Sequence, residues 1–117
     1  MPEHRTVVIT LTAGKTPSGT LYAFAEPDPA VIHAGELVKW VVVAYDGVRN
    51  VKPDHFRPKA TWMDSVPFNA LRRKRTKKGA VTYVARSQKS GLIRTYKYDI
   101  VVDGRVVEDP DIQIHED

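Results

Sequence analysis

Leu37-Val-Lys-Trp-Val-Val-Val-Ala-Tyr45 decides the fold class. Six of its nine residues are β-branched or aromatic, types that suit a pleated surface better than a helix. From Trp40 onward it is apolar on both faces, which predicts a central strand covered twice. Trp40 is the expected core anchor. The stretch is framed by turn chemistry, with Ala34-Gly35-Glu36 before it and Asp46-Gly47 after it. Just upstream, Val31-Ile32-His33 is a short apolar strand.

Working outward, the same period of two recurs. Val7, Ile9 and Leu11 fall on one face of Thr6 to Thr12, with Thr6, Val8, Thr10 and Thr12 on the other. Gly14 to Gly19 reads as a turn. Thr20 to Ala25 is a second strand, ended by Pro27-Asp28-Pro29 because proline cannot donate to a ladder. Ala80 to Arg86 alternates again. In Leu92 to Val102, Leu92, Arg94, Tyr96, Tyr98, Ile100 and Val102 share one face. Asp103-Gly104 predicts a type I′ hairpin. Arg105 to Val107 and Asp111 to His115 form the return strand, with Pro110 marking an edge or a bulge. Tyr96 and Tyr98 are read with Trp40 as core residues.

Between these, residues 48 to 79 read as irregular, punctuated by Pro53, Pro58 and Pro67. A gap of this length predicts an excursion with short elements of its own, pinned by its aromatic residues. Asp54 to Arg57 fits a short strand and Thr61 to Val66 a turn of helix.

The 117 residues suit one domain, 1–117, with a single core. Sixteen Val, six Ile and nine Thr stand against five Leu, which argues against a helical bundle. Seven to eight short strands without a long helix predict an all-β, two-sheet antiparallel sandwich, cupredoxin-like or immunoglobulin-like. No apolar run approaches the ~20 residues of a membrane-spanning helix, so no membrane contact is expected. No apolar signal region follows Met1-Pro-Glu-His-Arg5, and a cytoplasmic product is expected.

Three segments resemble the cupredoxin family. Gly35-Glu-Leu-Val-Lys-Trp40 is similar to its Gly-Asp-x-Val-x-Trp segment. Gly91-Leu-Ile-Arg-Thr-Tyr-Lys-Tyr-Asp-Ile-Val-Val102 resembles the strand that enters its copper loop. Asp109-Pro-Asp-Ile112 resembles the closing strand of copper-less relatives. The resemblance spans residues 20 to 114 and implies a sandwich topology. The family's blue-copper site uses a cysteine thiolate, two histidines and usually an axial methionine. The chain has no cysteine, so that centre and its electron-transfer role are excluded. What the resemblance leaves is a scaffold, and a scaffold does not specify a function.

Net charge is +4, and its source is local. Arg72, Arg73, Lys74, Arg75, Lys77 and Lys78 are six basic residues in seven positions; without them 12 basic residues face 14 acidic ones. Such a run is a solvated loop, a contact for an anionic protein partner, or a phosphate-backbone contact. It holds no aromatic residue for base stacking. Trp62 and Met63, if exposed nearby, would add an apolar patch. His4, His33, His55 and His115 show no metal-ligand spacing, although His4 and His115 would approach if the terminal strands paired. No serine sits in a nucleophile-elbow context. Asp54 and His55, being adjacent, point apart in an extended chain. No catalytic residue, metal or cofactor is therefore assigned. The expected function is non-enzymatic: an interaction module using residues 48 to 79, with Trp62, Met63 and the basic run as its contact surface. The alternative is nucleic-acid or other polyanion binding through 72–78. Self-association through an exposed edge strand, Thr6 to Thr12 or Asp111 to His115, is a further expectation.

Overall fold

The computed structural model describes residues 6–33, 35–45, 47–59, 68–75, 81–87 and 94–115. Trp62, Met63, Lys77, Lys78, His4 and the segment 61–66 lie outside them. The strands are β1 (Thr6–Lys15), β2 (Leu21–Glu26), β3 (Ala30–His33), β4 (Leu37–Ala44), β5 (Val51–Pro58), β6 (Phe68–Arg75), β7 (Val81–Ser87), β8 (Arg94–Val102), β9 (Arg105–Glu108) and β10 (Asp111–His115). They form two sheets, in the orders β2-β1-β4-β7-β6 and β3-β10-β8-β5, with β9 also paired to β8. The chain is an all-β, two-sheet sandwich.

Alternation builds the interior. Ile9, Leu11 and Ala13 of β1, Val38 and Trp40 of β4, Tyr96, Tyr98, Ile100 and Val102 of β8, and Ile112 and Ile114 of β10 are all buried between the sheets. A fully buried side chain of this size stabilises the fold by ~1.5–3 kcal/mol. At the centre, Trp40 from one sheet meets Tyr98 and Phe56 from the other. Ring centroids are 5.7 Å apart for Trp40–Tyr98, 5.4 Å for Trp40–Phe56 and 5.3 Å for Phe56–Tyr98.

Several expectations change. The described part of residues 48 to 79 is more regular than expected: β5 and β6 lie within it, one at the edge of each sheet. Pro53 and Pro58 are compatible with β5 because it is an edge strand, where a missing N–H can be tolerated. Merging β9 and β10 as one interrupted return strand and setting β6 aside leaves the eight strands expected. Pairing is not wholly antiparallel, since β1 runs parallel to β4 and β3 parallel to β10. The chain crosses to the other sheet at β3, so β4 returns beside β1 in the same direction. Asp111 to His115 is not an edge, since β10 sits between β3 and β8, and β1 sits between β2 and β4, with Thr6 to Ile9 paired to β4 and Thr10 to Thr12 also to β2. Nor is β4 covered twice, because Val43 and Tyr45 are exposed on the outer side of its sheet.

The hairpin after β8 has the expected backbone. Asp103 and Gly104 have φ of 48° and 84°, the two left-handed positions of a type I′ turn. Asp103 also fastens this turn to the segment leading into β5. Its carboxylate accepts the backbone N–H groups of Asn50 at 2.8 Å and Arg49 at 3.2 Å, and its own N–H donates to the Asn50 carbonyl at 2.7 Å.

Removing the indole tests the central cluster. Trp40→Ala is expected to cost ~3–5 kcal/mol, as for other large-to-small core substitutions, measured by denaturant unfolding of both proteins.

Candidate functional site

β5 does not alternate regularly. Val51 and Pro53 face the core, and Lys52 and Asp54 face out. Simple alternation would then put His55 inside and Phe56 outside. Instead the register against β8 shifts between Asp54, which pairs with Asp99, and Arg57, which pairs with Lys97. His55 is the extra residue of a β-bulge, with φ of 54°. Skipping it restores the pattern, so Phe56 enters the core against Trp40 and Tyr98, and Arg57 faces out. The expectation that Asp54 and His55 point apart is thereby corrected; the bulge places both on the outer side.

Polar contacts hold the bulge. Asp54 Oδ1 accepts the His55 N–H at 2.8 Å, and the Arg57 guanidinium donates to the His55 carbonyl at 2.9 Å. Asp99 of β8 lies behind them, only 7% exposed on the outer face. A carboxylate so shielded needs compensation. Arg57 supplies it at 2.9 Å, and His55 Nδ1 lies 3.2 Å from the other oxygen. His55 remains 71% exposed at its side chain, with Nε2 directed away from the Asp99 contact.

The network continues across the sheet. Lys97 lies 2.9 Å from Asp111 Oδ1 and 3.8 Å from Asp109, and Lys59 lies 3.0 Å from Asp111 Oδ2. Asp111's hydrogen bond raises the Lys97 pKa above its ordinary value. Burial opposes ionisation of Asp111, but hydrogen bonds from Lys97 and Lys59 outweigh it and hold its carboxyl below the usual carboxylate range. Asp103 is likewise lowered, chiefly by the Asn50 N–H. Inside the sandwich, burial pushes the Tyr98 hydroxyl up.

Beside the bulge opens a cleft of about 620 Å³, within the usual range of ligand sites. Val42, Val101 and Val106 supply its apolar lining, and Arg49, Asn50, Lys52, Asp54, His55 and Asp99 its polar one. The acidic groups are already engaged, Asp99 with Arg57 and His55, and Asp54 with Lys52 at 3.5 Å. The Arg49 guanidinium has no ion pair among the described residues. What the cleft offers is positive charge, from Arg49, together with the outer nitrogen of His55.

The anticipated site residues are placed differently. Arg72, Arg73, Lys74 and Arg75 are strand residues on β6 rather than a loop, paired with Val84, Tyr83, Thr82 and Val81. Lys77, Lys78, Trp62 and Met63 are outside the described residues. The histidine pair that meets is His33 with His115, in register on β3 and β10 with ring centroids 5.8 Å apart. Sequence reasoning missed Arg49, His55 and Asp99 as a group. The available signal was the outward–inward pattern of 51–58, which becomes regular once one residue is skipped.

No family model and no curated protein matches the chain. Among solved structures it is similar to an inclusion body protein, PixA, from Burkholderia cenocepacia, over 98% of each chain at 8% identity with a TM-score of 0.46.

The bulge and the charge ladder each make a prediction. At an ordinary strand position glycine is less stable than alanine. At residue 55 the order reverses: His55→Gly is expected to exceed His55→Ala by about 1 kcal/mol, since only alanine keeps the left-handed penalty, measured by urea unfolding. The Lys97–Asp111 pair stabilises between the two groups' unfolded pKa values, roughly 4 and 10. Its contribution is lost on acidification as the lowered Asp111 protonates, and on alkalinisation as the raised Lys97 deprotonates. Asp111→Asn should therefore lower stability at neutral pH by under about 1 kcal/mol and flatten the acid limb of thermal stability against pH.

Proposed function

We propose that this chain is a non-enzymatic interaction module on a cupredoxin-like scaffold without a copper site, and that the cleft beside the β5 bulge receives an acidic segment of a protein partner. The scaffold reading is supported by the places of the segments that carry the resemblance. Residues 35–40 lead into β4, central in one sheet, and 94–102 form β8, central in the other. The observation that carries the binding reading is His55. A non-glycine residue in the left-handed region is held there by its neighbours, and such outliers cluster at functional sites. Here the bulge presents an imidazole at the wall of a cleft whose carboxylates are already compensated.

Arg49 would grip a carboxylate through its planar fork, while His55, steadied by Asp99, contributes its outer nitrogen. The apolar lining would seat the methylenes of a glutamate side chain. Polyanion binding through Arg72 to Lys78 is the competing reading, and the same experiment separates the two.

Backbone-amide NMR titration with a hexaglutamate peptide at low salt tests this. Shifts should centre on Arg49, Asn50 and His55, and Arg49→Ala should weaken binding on the order of ten-fold, the scale of one charge-assisted contact. Shifts confined to β6, or equal affinity for Arg49→Ala, would refute the assignment. An oligonucleotide added under the same conditions should leave the cleft resonances unmoved.

A further inference from the structure

The two outer faces of the sandwich differ in chemistry. The outer face of β5, β8 and β10 is laced with ion pairs. The outer face of β2, β1 and β4 carries apolar side chains on its two flanking strands and threonines on β1 between them. Val8, Tyr22, Phe24, Val43 and Tyr45 are exposed there, with Phe24 at 43% and Tyr45 at 56%. Register makes them neighbours: Phe24 lies beside Thr12, and Thr12 beside Val43. Tyr22 pairs with Gly14, and its ring lies across the missing side chain, since a Cβ at Gly14 would fall 2.5 Å from the tyrosine oxygen. The extent of this face on the far side is limited, because Thr82, which pairs with Val41, is buried.

This explains why Leu37 to Tyr45 reads as a strand covered twice. Its sequence has the apolar character of a doubly covered strand, yet Val43 and Tyr45 are exposed on the outer side. Charge indicates what covers that side. Glu26 of β2 and Lys39 of β4 flank β1 on opposite sides near one end of the patch, beside Thr10 and Val8 respectively. Neither has an ion-pair partner among the described residues. A two-fold axis lying in the face between them sets each Glu26 over the Lys39 of the other copy. An isologous interface requires this reciprocity.

We infer that the β2-β1-β4 outer face is a homodimer interface, in which a second copy of this chain packs face to face, sets β2 of one copy over β4 of the other and closes two Glu26–Lys39 pairs at one end of the patch. Tyr22 and Phe24 on β2 and Val43 and Tyr45 on the β4 side are then brought against each other across the axis. Three strands at ~4.8 Å spacing and four alternate residues at ~7 Å make a footprint of roughly 15 by 25 Å. That is small against the ~800 Å² per partner of a standard stable interface. The dimer is therefore a concentration-dependent one, and it is separate from the cleft beside β5.

Sedimentation of the full chain from low micromolar to millimolar concentration tests the inference. Wild type should pass from monomer to dimer. Phe24→Lys and Glu26→Lys should each weaken the dimer by about ten-fold or more, and Glu26→Lys with Lys39→Glu should restore it. Each variant is checked by circular dichroism, with Tyr45→Lys replacing Phe24→Lys should the latter misfold. A wild-type monomer throughout the range, a dimer indifferent to both single substitutions, or a failed double-swap rescue would overturn the assignment.

Discussion

The contact among Trp40, Tyr98 and Phe56 is the constraint from which the local structure follows. It joins the sheets at their centre, with Trp40 supplied by β4 and the other two rings by β8 and β5. For Phe56 to reach it, β5 must place a residue inward where alternation would place it outward. The chain resolves this by extruding His55 as a bulge. The left-handed backbone has an energetic cost on the order of 1–2 kcal/mol. Packing the partly buried Phe56 ring into a three-ring cluster offsets that cost. The bulge is thus a consequence of core packing, and Asp99 steadies the imidazole that it displays.

The same geometry accounts for the charge on the outer side of β8. Once Arg57 faces out, it lies over Asp99 and offsets the desolvation of that carboxylate. Asp109, Lys97, Asp111 and Lys59 extend the alternation of charge across the sheet. Each exposed pair contributes little alone. Together they keep this face polar, so the two sides of the molecule offer different surfaces: one with charges already matched, one with apolar side chains and two unmatched charges.

Most of the architecture was legible because period-two alternation survives wherever one strand face is buried, as in β1, β8 and β10. The Asp103-Gly104 turn was legible because few residue pairs adopt two positive φ angles. Three features were not. β6 was hidden because Phe68-Asn-Ala-Leu-Arg-Arg-Lys-Arg75 lacks an apolar alternation, and its ladder depends on β7, distant in sequence. The bulge was hidden because an inserted residue shifts the period within a single strand. The open face of β4 was hidden because sequence records how apolar a face is, and does not record whether the covering layer belongs to the same chain. Of the site, only the region 48 to 79 was indicated; Asp99 lies far along the sequence and meets His55 only through sheet pairing.

The position of β6 also bears on how the basic run is understood. An edge strand exposes unpaired N–H and C=O groups, and natural sheets protect such edges with lysine, arginine and proline. Arg72 to Arg75 sit on the edge strand of one sheet, and Pro53 and Pro58 on the edge strand of the other. Charge on β6 therefore has a sufficient cause in the fold itself, the prevention of strand-to-strand association, and no bound phosphate is needed to explain it. Arg49 has no such cause. It lies in the segment before β5, outside any strand ladder, and its guanidinium lines the cleft without an ion pair among the described residues. A basic group that guards no edge and closes no ion pair among the described residues is the better indicator of an external anion, and this is why one arginine outweighs a run of six basic residues in locating the binding surface.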